Sequence, residues 1–311
     1  MTDLTIAIVG HQRCHMLAEC LDSIVKYTHG IIYEVCVVDN ASTDGTSDMI
    51  REQFPQVRLF VNSTPRTFAE NHNFLLGQAV GKYVLLLNDD TYLTQNAFKI
   101  MLEFLDMHPE SGAVGCRQYN AQGQFRPSAG NFPTLWNTVL WACGVDRLSW
   151  VRAHWRTRII TWAPFYDQTR LVDWISGACL LVRRSVALEL GGLDETWGMN
   201  NEDIDLCYRM WRAGHKVYHI ASAVIVHYGQ GGDASSRMRA KVTANASLLA
   251  YFRKHHPTLL LWVRCILSVG AGVRVVAGWL LRQVPAKAQL GQELFNTYLA
   301  VWKVLQGYRL D

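Results

Sequence analysis

Leu85-Leu86-Leu87-Asn88-Asp89-Asp90-Thr91 is an apolar run that ends abruptly in two adjacent carboxylates. Unbroken hydrophobicity of this kind marks a strand covered on both faces, so residues 82–87 are expected to form a buried parallel strand with Asp89 and Asp90 at its carboxyl end. Two carboxylates placed there repel unless something compensates them. A divalent hard cation bridging a diphosphate is one economical answer; a pair of acidic turn residues capping the next helix is the other.

Upstream, strand and helix signals alternate: strands over 4–9, 33–38 and 57–61, and helices over 16–27, 43–54 and 69–79, with Ser42 and Thr43 as N-caps of the second helix. The pattern predicts an α/β fold with a mostly parallel, Rossmann-like sheet flanked by helices. In such sheets ligands sit beyond the carboxyl ends of the strands. The residues there are Gly10-His11-Gln12-Arg13, Asp39-Asn40 and Asn88-Asp89-Asp90. Neither GxGxxG after the first strand nor GxxxxGK[ST] is present, which disfavours dinucleotide-binding dehydrogenases and P-loop NTPases.

Composition narrows the field. The chain has 311 residues, half of them apolar, and a formal charge of +4. It is long enough to bury a large core, and too mildly basic for a dedicated nucleic-acid binder. Eight scattered cysteines contain no CxxC pair, so zinc-ribbon and thioredoxin-like readings fail and a reduced, cytoplasmic setting is expected. The N-terminus lacks the basic and apolar regions of a secretory signal.

Downstream the pattern loosens. Residues 117–170 gather Trp136, Trp141, Trp150, Trp155 and Trp162 among Arg147, Arg152, Arg156, Arg158 and Arg170, which reads as a functional insertion suited to a bilayer surface or a lipid-diphosphate acceptor. A strand pair is expected over 172–182, helices over 185–190 and 202–213, and strands over 217–220 and 224–226, with His227 at the exit. Glu202 and Asp203 open the second of those helices. Asp205, roughly 200° further round, is expected on another face. From about residue 235 the chain reads as helical. Residues 258–281 are apolar, but Arg264, Arg274 and Arg282 gather on one side, which describes an interfacial helix on a membrane, broken in two at Gly270/Gly272. A helical hairpin packed on the domain is the alternative; a true span is disfavoured by the central arginine.

Taken together, several strings resemble the inverting GT-A enzymes of glycosyltransferase family 2, and most of all their rhamnosyltransferase-like branch. They are Val37-Val38-Asp39-Asn40-Ala41-Ser42-Thr43-Asp44-Gly45, Asn73 before Ala79-Val80-Gly81-Lys82-Tyr83, and Leu87-Asn88-Asp89-Asp90. The second half adds Ser176-Gly177-Ala178-Cys179, Gly191-Gly192-Leu193-Asp194-Glu195, Asn201-Glu202-Asp203-Ile204-Asp205 and Ala223-Val224-Ile225-Val226-His227. The resemblance implies a catalytic domain over 1–232, made of a nucleotide-sugar half (1–116), the insertion (117–170) and an acceptor half (171–232), followed by a helical, membrane-associating region over 233–311.

It also implies roles. Asp39 would accept a hydrogen bond from the nucleobase, and Gly10, His11 and Arg13 would line base and ribose. Asp89 would touch ribose or donor sugar, and Asn73, Gly177 and Trp174 would complete the substrate site, the last by stacking on sugar. Asp90 and His227 would hold Mg²⁺ or Mn²⁺ against the diphosphate, with Gly229, Gly231 and Gly232 allowing a loop to close. Asp203 would be the general base, with Glu202 second. The implied activity is metal-dependent inverting transfer from a dTDP-rhamnose- or UDP-hexose-type donor to a hydroxyl of a polysaccharide or polyprenyl-diphosphate-linked glycan at the inner membrane face. A nucleotidyltransferase of related fold and a catalytically silent glycan-binding protein are the alternatives. Two departures stand out: Gly10-His11-Gln12-Arg13 replaces the family's Thr-Tyr-Asn type string, and Thr67-Phe68, preceded by Pro65-Arg66, replaces Gly-Phe. The missing QxxRW motif argues for one sugar per turnover.

Overall fold

Twelve strands and eleven α-helices account for most of the chain in a computed structural model that describes residues 2–197, 201–229 and 234–307. The strands are β1 (Leu4–Gly10), β2 (Tyr33–Asp39), β3 (Arg58–Val61), β4 (Tyr83–Asn88), β5 (Thr91–Leu93), β6 (Ser111–Tyr119), β7 (Phe125–Arg126), β8 (Ala129–Gly130), β9 (Arg170–Leu171), β10 (Trp174–Ile175), β11 (Cys179–Arg183) and β12 (Lys216–His227). The helices are α1 (Cys14–Tyr27), α2 (Thr46–Gln53), α3 (Phe68–Gln78), α4 (Ala97–Met107), α5 (Leu135–Cys143), α6 (Ser149–His154), α7 (Arg184–Glu189), α8 (Glu202–Arg212), α9 (Ala234–His255), α10 (Leu260–Leu281) and α11 (Ala288–Leu305).

The chain divides into two compact units. The first, Met1–Phe132, Ile159–Gly198 and Glu202–Gly229, is built on one mixed sheet in the order β3-β2-β1-β4-β11-β6-β12-β5. Strands β1 to β4 are mutually parallel, as their uninterrupted apolar character predicts, whereas β11 runs antiparallel between β4 and β6. Ile6, Ile8, Leu85, Leu87 and Leu181 from the sheet meet Leu17, Leu21 and Ile24 of α1 and Phe98, Met101 and Leu105 of α4 in one hydrophobic core. The two strands expected over 217–220 and 224–226 are one strand, β12, with an irregularity between Ile220 and Val224.

Two local expectations are corrected. Ser42 and Thr43 do not cap α2. The helix starts at Thr46 after Gly45, whose φ of +84° suits only a residue without a Cβ, and Asp44 accepts from the Thr46 N–H. Thr67 earns its place in a different way from a family glycine: it caps α3 in a reciprocal capping box with Glu70.

The second unit comprises Pro133–Arg158, Met199–Asn201 and Gln230–Asp311, so the stretch read as one insertion is divided between the two units. Within this unit α10 is continuous, and Gly270/Gly272 does not break it. Gly270 serves close packing: a Cβ there would lie 2.9 Å from the Ala142 carbonyl oxygen. Gly278 and Gly291 play the same part where α10 meets α11, each backbone occupying the space of the other's missing side chain. Arg274 turns inward from α10, donating to the carbonyls of Ala142 and Gly270 and lying over the Tyr298 ring.

Candidate active site

Parallel pairing sets Gly10 beside Asp39 and Val9 beside Asn88, so the three strand ends picked out from sequence lie side by side. Asp39 is 1% exposed, and its carboxylate accepts from the Ser42 N–H at 3.0 Å and from the Ser47 hydroxyl. Asn40 fixes the Pro65-Arg66 segment by exchanging hydrogen bonds with the backbone of Arg66. Among the described residues only Gln12, Ala41 and Asn201 combine a side chain with positive φ. Two of them follow β1 and β2 directly, and the third precedes Glu202; backbone strain concentrates at the same chain positions as the candidate chemistry.

Asp89 and Asp90 are both buried, and Arg13 spans them, with Nη1 2.9 Å from Asp89 Oδ1 and 3.3 Å from Asp90 Oδ2. The His11 N–H reaches Asp89 Oδ2 at 3.4 Å, while its ring Nδ1 lies 2.8 Å from the Asn40 carbonyl oxygen. The two acids titrate apart. Burial raises Asp89 to about 6 against the pull of Arg13, with the Asp90 charge adding to the rise. Burial works on Asp90 too, but His227 and Arg13 outweigh it and hold this carboxyl below its ordinary value.

His227 reaches Asp90 because of a short strand the sequence reading overlooked. Directly after the Asp89-Asp90 turn, β5 pairs antiparallel with the end of β12, which sets His227 opposite Thr91. The Nε2 atom then lies 3.2 Å from Asp90 Oδ1, an oxygen that is buried and accepts no hydrogen bond. On the other side of the ring, Nδ1 is 3.1 Å from Oε1 of the buried Gln118. An acceptor at Nδ1 keeps one proton there, so Nε2, which also lies 3.5 Å from the Asn88 amide nitrogen, either carries a second proton toward the carboxylate or turns a lone pair to it. Two lone pairs aimed at each other are disfavoured unless a proton or a cation lies between them, and nitrogen plus carboxylate oxygen suits Mn²⁺ or Mg²⁺ completed by phosphate and water. These residues fit such an ion as two of its ligands; no cluster of three or more His, Cys, Asp or Glu side chains poised for a metal occurs among the described residues.

Asp203 opens α8, where unpaired N–H groups favour a carboxylate. Its Oδ2 accepts from the Gly177 N–H and its Oδ1 from the Ile204 N–H, both at 2.8 Å. Gly177 lies just before β11, where the chain runs along β4: the Asn88 N–H donates to the Ala178 carbonyl at 3.1 Å. Asp203 is thereby tied to the end of the strand that carries Asp89 and Asp90. Among the described residues no hydrogen bond or ion pair joins it to Asp90 or His227. Burial, with the Asp203 charge adding to it, raises the Glu202 carboxyl; burial also raises Asp203, against the N–H groups of Gly177 and Ile204. As expected of another face, Asp205 is fully buried and pairs with Arg209 Nε at 2.8 Å; Arg209 also donates to the carbonyls of Leu190 and Gly192 at 2.7 Å.

Asn73 and Trp174 have structural partners. The Asn73 amide exchanges hydrogen bonds with the backbone of Leu193 and donates to Glu195, all at 2.8 Å. Trp174 is buried and donates from Nε1 to the Asn131 carbonyl at 3.1 Å, leaving little ring surface for stacking. Gly229 closes against Arg126, whereas Gly231 and Gly232 lie outside the described residues.

Solved structures share this mixed sheet. A mannosyltransferase from Pyrobaculum calidifontis in complex with GDP-Man and Mn²⁺ matches with a TM-score of 0.58 at 16% identity, covering 99% of this chain and 89% of that one. Staphylococcus aureus TarS 1–349 in complex with UDP-GlcNAc matches at 0.56 and 15% identity, over 100% and 94%. The glycosyl transferase family 2 profile matches residues 5–188, and the chain belongs to that family. It is similar, at 31% identity over 66% of this chain and 71% of the relative, to the N-acetylglucosaminyl-diphospho-decaprenol L-rhamnosyltransferase of Mycobacterium tuberculosis. The rhamnosyltransferase WbbL of Escherichia coli is 24% identical over 54% of this chain and 63% of its own length.

Proposed function

We propose that this transferase is metal-dependent and inverting, and that it moves a sugar from a dTDP-rhamnose- or UDP-hexose-type donor to a hydroxyl of a polyprenyl-diphosphate-linked glycan at the cytoplasmic face of the cell membrane. The observation that carries the reading is the cluster of Asp89, Asp90, Arg13 and His227 at one strand end, with Asp203 tethered through Gly177 to the neighbouring strand. The names of the rhamnosyltransferase relatives support the sugar and the lipid-linked acceptor, and the Mn²⁺ in the mannosyltransferase complex supports the metal.

In this reading Asp90 and His227 would hold a divalent ion, which would supply positive charge to the departing diphosphate. Asp39, with Gly10 and His11, receives the nucleoside, Asp89 the ribose or sugar, and Arg13 keeps the paired acids ionised. Asp203 takes the proton from the acceptor hydroxyl as its oxygen bonds to the anomeric carbon, on the face opposite the breaking carbon–oxygen bond. Asn73 and Trp174 act by positioning the Leu193 turn and the segment before Gly177.

The test is Asp203→Asn, whose side-chain oxygen still accepts from Gly177. A loss of about 10²–10⁴ in turnover is expected, beyond any modest destabilisation from the Ile204 N–H that the amide nitrogen cannot accept from; near-normal turnover in the folded variant overturns the assignment.

A further inference from the structure

Helix α10 is built inside out for a helix in water. All eight of its exposed residues, Cys265 among them, are apolar. Leu261, Trp262, Val269, Val273, Val276 and Trp279 form its exposed stripe, with Trp262 at 65% and Val269 at 68% exposure. Its mid-helix arginine, Arg274, is turned into the unit and hydrogen-bonded there. Spacings of three and four residues put the stripe on one face, along about 27 Å of helix. A continuous apolar strip of this length is an interaction surface.

Charge selects the occupant. The unit that contains α10 carries 15 Lys and Arg against four Asp and Glu, a net +11, whereas the sheet unit carries 15 against 22, a net −7. Two copies meeting through the α10 stripe would bring together two strongly positive bodies, while an anionic bilayer attracts the same charge. Six of the unit's tryptophans (Trp136, Trp150, Trp155, Trp262, Trp279 and Trp302) are exposed, and indole favours the lipid headgroup boundary.

We infer that the exposed face of α10 lies in the plane of an anionic membrane, its stripe in the acyl boundary and the surrounding basic residues on the headgroups. The helix is long and apolar enough to cross a bilayer. Its opposite face, however, is packed by Val263, Leu267 and Ala271, and α11 exposes a mixed set, Gln292, Glu293, Asn296 and Lys303 beside Leu290 and Trp302. Helix α10 therefore offers lipid a single face, as a monotopic helix does. The inference deepens the membrane partner of the proposed function and rests on that reading only for the membrane's identity.

Cys265 supplies the test, since it lies in the stripe and is exposed. In full-length protein carrying Cys143→Ser, which removes the other exposed thiol, an environment-sensitive fluorophore on Cys265 is titrated with vesicles rich in phosphatidylglycerol and with pure phosphatidylcholine. A blue shift with partitioning about tenfold or more stronger on the anionic vesicles is expected, and V269D/V273D should weaken it by about tenfold or more. Should that variant misfold, depth-dependent quenching of wild-type tryptophan by brominated lipids reads the same contact. No blue shift, equal partitioning on both vesicles, or a Cys265 protected by self-association overturns the inference. Transfer to a soluble acceptor, measured on the same samples, fails separately if the enzymatic reading is wrong.

Discussion

The backbone N–H of Gly177 donates to Oδ2 of Asp203 at 2.8 Å, so the candidate base is aligned by the chain segment that enters β11 beside β4. Backbone N–H groups hold this carboxylate, and the preceding residue, Glu202, supplies a second, buried acid.

That pairing predicts a pH dependence. Both carboxyls are raised, Glu202 by burial and the adjacent charge, Asp203 by burial. The acid limb of kcat/KM should therefore lie above the ordinary carboxylate range. Stability follows the opposite course. Groups with raised folded values bind more protons in the native state, so the melting temperature should fall as pH climbs from the ordinary carboxylate value through the raised ones, and less so in Glu202→Gln. An acid limb in the ordinary carboxylate range, or a melting profile against pH unchanged by Glu202→Gln, would sink this account.

Gln118 should set the metal response through His227. Gln118→Leu removes the acceptor at Nδ1 and is expected to weaken Mn²⁺ binding by about 10–100-fold, with Gln118→Glu retaining most of it. Mn²⁺-dependent thermal shift without substrate is the measurement, and equal midpoints for Leu and wild type would refute the role.

Arg13→Met leaves Asp89 and Asp90 buried without their bridging cation. Because Arg13 is partly exposed, a modest loss of about 1–2 kcal/mol at neutral pH is expected. Added Mn²⁺ should restore more stability to this variant than to wild type. Urea unfolding with and without the ion decides; an unaltered midpoint would contradict the compensation.

Arg209→Lys breaks a fork-shaped contact with Asp205 and two carbonyls that lysine cannot reproduce. A loss of about 3 kcal/mol is expected, together with a fall in kcat larger than any rise in donor KM, since α8 carries the base. A variant that loses stability but keeps wild-type kcat would confine Arg209 to packing.

The α/β class was readable because buried parallel strands such as residues 85–87 admit no polar alternation, and the strand-end acids followed from where such sheets bind ligands. Other features were hidden for physical reasons. The three-residue strand after Asp90 is too short for a periodic signal, yet its pairing brings His227 to Asp90. Arg13, read as a ligand contact, proved to span both acids, a relation between residues 76 and 77 positions apart that no local pattern encodes. The α2 cap went astray because Ser42 and Thr43 have the right chemistry but the left-handed Gly45 delays the helix. The arginines of α10 lie along one side as helical spacing demands, but periodicity alone says nothing of which side faces inward.

The Arg209 fork addresses the carbonyl oxygens of Leu190 and Gly192 and ignores their side chains. Its grip is therefore blind to composition but strict about length: homologous chains can drift at Leu190, whereas a one-residue insertion between α7 and Leu193 would slide both carbonyls out of reach and leave the start of α8 unmoored.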